Sequence, residues 1–453
     1  MNAIPRSPHA LAAVSLAVAF LAACGGRDDP ARALPTAAQS DASDQPDAAL
    51  DEQARLAFEA TDHEVRARQL PTLYSEGSGA AALTADGDAP AAANFPGVKQ
   101  SNLVASKPGY GAPIIEPEMK NAWGIAIRPA GLGGHFWIGA AGTGTSIQYV
   151  GDVGDTALFQ DELAIVTTGG PATGVGFNHG AGFTITQAHA NGPITAPTKF
   201  FFANASGTLS AWTERARTGG GFDHPLDSTI VVDRSALGSN FLGVTVTPDA
   251  DRVLVADFGA GAQLRSYDHS FAEQTPWPNP FRPAGVVQPG GFEAFNVQAL
   301  GRSVFAMYGR HVPPNPTQAP PAEGRLVEFD ASGKQVARWY GRGFLNYPWG
   351  VAKAPASYGL YADCLLVGNF GDGTVVAFHP TLRVALDYVR DTSGKKVVID
   401  GLWGLQFGNG ASLGEADHMY FAAGPERETE GLFGKLQANP TTRPALGGVS
   451  MCR

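Results

Sequence analysis

The sequence predicts an all-β chain: a six-bladed β-propeller, its ring closed by an N-terminal strand and preceded by a disordered tether. Three observations lead there. A Trp-Gly-apolar motif occurs three times, in Asn121-Ala122-Trp123-Gly124-Ile125, Tyr347-Pro348-Trp349-Gly350-Val351 and Gly401-Leu402-Trp403-Gly404-Leu405. Weaker copies at 173–177, 242–246 and 295–300 bring the count to six, with markers Gly124, Gly174, Gly243, Asn296, Gly350 and Gly404 spaced 50 to 69 residues apart. Behind the markers lie lines such as FWIGAAGTGTSIQYV (136–150) and LLVGNFGDGTVVAF (365–378). Each is an apolar run, a glycine turn and an alternating run, which is strand, tight hairpin, strand. Units of this length with several short strands read as propeller blades. A doubly wound sheet would show helical periods between strands, and none is found.

The N-terminal segments carry a different signal. Residues 1–23 read as a lipoprotein signal peptide, with Arg6 before an apolar core at 9–23 that is too short to be a comfortable membrane span. The run Leu21-Ala22-Ala23-Cys24 has the form of a lipobox, which makes Cys24 the expected lipidation site; the plainer alternative is a secretory signal with a chance cysteine. Residues 24–94 hold 13 Asp/Glu against five Arg and few large apolar groups. Such a segment cannot bury enough surface to offset its ordering entropy, so it reads as a flexible acidic tether. A short helix around Glu52 to Leu70 would be marginal alone.

The propeller is expected over 95–438 and a C-terminal tail over 439–453. With three cysteines in the chain, Cys364 and Cys452 remain once Cys24 is set aside. The pair fits either a disulfide tying the tail to the body or two buried thiols. Net charge is −10, concentrated in the tether, so the body is near neutral and offers no basic stripe for nucleic acid. The expected partners are the membrane, through the lipid, and an envelope protein or small-molecule ligand.

Within the blades, glycine at the marker position allows close backbone approach near the channel. Trp123, Trp349 and Trp403 are expected to fill the wedges between neighbouring sheets. The last unit supplies three strands, and Asn102-Leu103-Val104 is expected to pair as its outer fourth, protecting an open edge.

The set NLV, NAWGIA, FWIGAAGTGTS, LLVGNFGDGTV, IDGLWGLQFGNG and FAAGPERETEGLFGKL resembles a family of secreted bacterial propellers that often carry a PEP-CTERM sorting tail. The resemblance spans about residues 102 to 438. It implies a fold and a compartment only: a propeller related at fold level to NHL-type and lactonase-type propellers, outside the cytoplasm. The chain departs from the common pattern in its lipobox and in ending Met451-Cys452-Arg453, which favours lipid anchoring over sorting.

Candidate ligand-binding residues fall in loops expected on one face: Asn121, Asn204, Asp257, Asn369, Asp372, Asp400, Glu426 and Glu430, with Asn346 and Glu428 beside them. A ring of Asn, Asp and Glu is a reasonable oxygen cage for Ca²⁺. In lactonase-type propellers such a metal polarises a carbonyl and activates water. The competing reading is turn chemistry, since Asn and Asp cap nearby backbone groups. The run Glu426-Arg427-Glu428-Thr429-Glu430 reads either as a solvated loop or as added ligands. Gly410-Ala411-Ser412-Leu413-Gly414 matches a nucleophile elbow by letter but falls between two strands. Three functions follow as expectations: a ligand- or partner-binding module first, a Ca²⁺-dependent lactonase-like hydrolase second, a structural envelope component third.

Overall fold

Among the described residues six blade sheets follow one another around an axis, each running from an inner strand outward; five are four-stranded and antiparallel, and the sixth adds a short fifth strand, Ile114–Ile115, paired parallel at its outer edge. The structure is a computed structural model that describes residues 95–283, 285–287, 290–311, 324–439 and 450–453. The signal segment, Cys24, the acidic tether and the Glu52–Leu70 helix lie outside the described residues. The inner strands of blades one to six are Ala122–Ala126, Ala172–Phe177, Phe241–Val246, Phe292–Leu300, Pro348–Lys353 and Leu402–Phe407. Each contains one of the six markers.

The ring closes as expected. The sixth blade runs Leu402–Phe407, His418–Ala423, Leu432–Ala438 and then Val98–Ala105 from the start of the described chain. That strand pairs antiparallel from Val98 opposite Ala438 to Ala105 opposite Leu432, which covers the edge the last hairpin would leave open.

The motif is a repeated β-bulge. In all six blades the pairing of inner and second strand shifts register at or next to the marker. A bulge takes a residue out of the ladder and turns its side chain. Four consecutive positions then have four destinations. The marker glycine lies against the backbone of the next blade: a Cβ on Gly124 would sit 2.5 Å from Val175 N, and one on Gly174 2.6 Å from Val244 N. The residue after the marker (Ile125, Val175, Val244, Val297, Val351 or Leu405) enters the core between its own blade and the one before it. These six residues fall in six separate apolar clusters, one per wedge.

The residue before the marker goes to the axis, and here the structure corrects the expectation for the tryptophans. Trp123 stacks on Trp403 with ring centroids 3.4 Å apart, and Trp349 meets both edge-on at 6.0 and 5.8 Å. Phe295 lies 5.8 Å from Trp403. Blades one and five are not neighbours, nor are four and six, so these rings meet across the axis rather than in a wedge. Phe370, from the hairpin of blade five, stacks on Trp403 at 3.8 Å. The tryptophans are buried core residues, as expected, but they plug the channel while the aliphatic residue two places on fills the wedge.

Of the two readings left open for the cysteines, the structure holds the disulfide. Cys364 and Cys452 are bonded, with Cα atoms 5.2 Å apart. The tail residues beside them are tied down too, with Met451 N donating to Leu360 O at 3.0 Å.

Candidate binding site

Strand register defines two faces. Ala122 pairs with Ala140 and Ala126 with Trp137, so the start of an inner strand and the hairpin after its second strand share the upstream face. The end of the inner strand lies on the downstream face. All eight candidate residues belong to upstream loops or strand ends.

Three of them are absorbed by their own blades. Asn204, Asp257 and Asn369 end second strands and are fully buried. Asp257 accepts hydrogen bonds from Asn240 N at 2.9 Å and Gly259 N at 3.0 Å, and pairs with Arg265 Nε at 2.7 Å. Asn369 accepts from Asn346 N at 3.0 Å and donates to Phe344 O at 2.8 Å. Asn204 donates to Thr168 O at 3.2 Å. Asp372 is exposed and accepts from Thr374 Oγ1 at 2.6 Å and from the Asn346 side chain at 3.3 Å. These contacts hold hairpins and connections in shape.

The other residues come together where blade six meets blade one. Glu426, Arg427 and Glu428 form a left-handed run with φ of 57°, 58° and 66°. Non-glycine residues pay about 1 kcal/mol or more each to stay there, so the contacts around them must hold the turn. Glu426 binds Lys107 Nζ at 2.8 Å and Tyr110 OH at 2.7 Å. Its carboxyl is held below the usual range, chiefly by the hydrogen bond from Lys107 and then by that from Tyr110. Glu428 accepts from Asn121 Nδ2 at 3.0 Å, and burial pushes its pKa up. Glu430 accepts from Ser106 Oγ at 2.6 Å, and Asp400 accepts from Glu426 N at 2.9 Å. Each carboxylate has its own donor, and most of those donors belong to the segment following the closing strand. Among the described residues no group of three or more His, Cys, Asp or Glu is arranged to hold a metal ion. The upstream residues therefore do not fit the Ca²⁺ cage.

The downstream face has a different character. A well of about 670 Å³ opens on the axis, with residues from all six blades in its wall. Its floor is formed by Gly124, Gly174, Asn296, Trp349 and Gly404, at the level of the aromatic plug. At the rim, Arg128 pairs with Glu214 at 2.7 Å, and Asn409 donates to the Arg128 carbonyl at 3.1 Å. The Asn409 side-chain oxygen also accepts from the backbone N–H groups of 411, 412 and 413, so the Gly-x-Ser-x-Gly match is a capped loop. Thr245, Gln298 and Gln406 face the interior, and no Asp or Glu lines it. Sequence reasoning missed these three. The signal was their position, two residues after a marker, where the other blades have Ala126, Gly176 and Ala352.

No family model matches the chain. An uncharacterized protein of Acanthamoeba polyphaga mimivirus is 27% identical over 346 residues, covering 74% of this chain and 79% of the viral one. A second uncharacterized protein of the same virus is 26% identical, with 74% and 84% covered. Among solved structures, the nidogen/laminin complex aligns at a TM-score of 0.36 with 11% identity, over 63% of this chain and 84% of the other. A gluconolactonase from Xanthomonas campestris aligns at 0.33 with 12% identity, over 59% and 86%.

Proposed function

We propose that this propeller is a ligand-binding module whose small-molecule site is the downstream well. The observation that carries the reading is the blind-ended cavity itself: it is sized for a small molecule, lined by residues of all six blades and closed at its floor by Trp349 of the aromatic plug. Small-molecule sites are concave, largely pre-formed and mostly apolar, with a few placed polar groups. Trp349 at the floor gives an intrinsic fluorescence reporter. Titration with a fragment library should quench or shift that emission in the intact chain. Gln406→Trp, which fills the well from its wall, should abolish the response while leaving the melting temperature of the unliganded protein within a few degrees. A library whose members bind equally well to the filled variant would sink the reading.

The same proposal sets the chain outside the cytoplasm, held by lipid at Cys24. The lipobox-like Leu21–Cys24 run supports it, and so does a buried disulfide, a bond that persists in oxidising compartments. Incorporation of a labelled fatty acid in cells should be lost in Cys24→Ala; unchanged labelling would overturn the anchor.

A further inference from the structure

The residue two places after each marker forms one layer of the well: Ala126, Gly176, Thr245, Gln298 and Gln406 line it, while Ala352 of blade five stays buried. The layer is lopsided. Blades one and two contribute a methyl and a hydrogen, which leaves open space on their side. Blades three, four and six contribute polar groups that face that space.

Two of those groups are half-used in complementary ways. Gln298 accepts a hydrogen bond from Val351 N at 3.3 Å through Oε1, which leaves its amide N–H₂ to donate into the well. Gln406 donates from Nε2 to Phe407 O at 2.9 Å, which leaves its carbonyl oxygen to accept. Thr245 Oγ1 accepts from Ala299 N at 3.0 Å and keeps its O–H free to donate. The wall thus presents both donors and acceptors. It carries no carboxylate or lysine; its arginine is matched by Glu214, and its one histidine, His179, has Nε2 3.3 Å from Pro248 O.

The chemistry narrows the ligand. A cation would give up hydration and find no carboxylate in the lining, and an anion would find only an arginine already matched by Glu214 and a histidine within reach of a backbone carbonyl. An apolar molecule would strand the free amide groups, and a buried polar group left unpaired is penalised more than a made hydrogen bond gains. A hydroxyl both donates and accepts, so a polyhydroxylated molecule satisfies mixed amides and a threonine whichever way its groups turn. The less polar faces of such a molecule suit the rings of Phe177, Phe407 and Trp349 in the same lining. Resting on the reading of the well as the ligand site, we propose that it binds a neutral polyol of mono- to disaccharide size, with Gln298 donating to it and Gln406 accepting from it.

The test is ligand-observed NMR and calorimetry on the intact chain. Glucose, galactose, N-acetylglucosamine, cellobiose and myo-inositol serve as neutral probes, gluconate and glucosamine as charged counterparts, and indole as an apolar one. A neutral probe should bind at least tenfold tighter than the charged and apolar ones. Gln298→Leu and Gln406→Leu should each weaken it about tenfold. Gln298→Glu keeps the acceptor for Val351 N, removes the donor, and should weaken binding as well, which covers the case of a Leu variant that folds poorly. Unaltered polyol affinity in these variants overturns the roles assigned to the glutamines. If gluconate, glucosamine or indole binds better than the polyols and Gln406→Trp blocks it, the ligand class is wrong and the well reading survives. If Gln406→Trp affects no probe, both fall.

Discussion

The side-chain amide of Asn296 donates to the main-chain carbonyl of Trp349 at 2.6 Å, from blade four to the inner strand of blade five. It does so at the marker where the other five blades have glycine. Blades one, two, five and six meet the next blade here by direct backbone approach, Gly243 of blade three packs against the Asn296 side chain, and blade four reaches across with that side chain's amide. Asn296 is 2% exposed, so the carbonyl it serves is shielded from water. Asn296→Ala should cost about 1–3 kcal/mol, the usual penalty for a buried acceptor left unpaired. Asn296→Asp should cost more, about 3–5 kcal/mol, because it sets a buried charge against that carbonyl. Urea denaturation of both variants checks this; equal losses would mean that the donated hydrogen bond contributes little.

Two glycines of one strand type separate close approach from mere smallness. A Cβ on Gly350 would lie 2.6 Å from the Trp403 carbonyl, whereas one on Gly176 has nothing nearer than 3.3 Å. Gly350→Ala must therefore push blade five from blade six and should cost about 1–3 kcal/mol. Gly176→Ala should stay within about 1 kcal/mol, since the lost space is offset by the lower chain entropy of alanine. Thermal melts compare them directly. A similar drop in both would show that the close approach of Gly350 to the Trp403 carbonyl does not set it apart from Gly176.

The blade count and ring closure were legible in the sequence because both rest on what repeats. The markers recur with the blade, and Asn102-Leu103-Val104 completes a blade that lacks a strand. The destination of Trp123, Trp349 and Trp403 was not legible. A periodic tryptophan signals burial, but wedge and axis are both buried, and only contacts between non-neighbouring blades tell them apart. The well was hidden for the opposite reason. Ala126, Gly176, Thr245, Gln298, Ala352 and Gln406 share a place but no chemistry, so they make no motif. The loops drew attention because Asn and Asp are conspicuous, and in Asp257 and Asn369 those side chains serve nearby backbone groups.

The disulfide joins residues 88 apart in sequence and pins the tail to blade five. Cross-linking so long a loop restricts the unfolded chain strongly, and removing such a bond costs about 2–5 kcal/mol. Cys364→Ser/Cys452→Ser should melt at a lower temperature than the oxidised protein. Its melting temperature should match that of the wild type unfolded in reductant. Wild-type stability that does not respond to reductant would contradict a bonded pair in solution.

Glu428 gives the pH dependence a sign. Its folded pKa is raised because burial disfavours the charged carboxylate, and the hydrogen bond from Asn121 only partly opposes this. Between the ordinary glutamate pKa of about 4.3 and the higher folded value, the folded state holds more protons than the unfolded one. Stability contributed by this group therefore falls as pH rises through that window. Glu426 works the other way, since Lys107 and Tyr110 hold it ionised, but it is common to wild type and to a variant at 428. Glu428→Gln keeps an acceptor for Asn121 and removes the titration. The variant should be more stable than the wild type at pH 7, and the gap should close as pH falls toward 4. Urea midpoints at pH 4, 5, 6 and 7 measure that gap. A gap that stays constant across the series would show that Glu428 does not change its proton occupancy on folding.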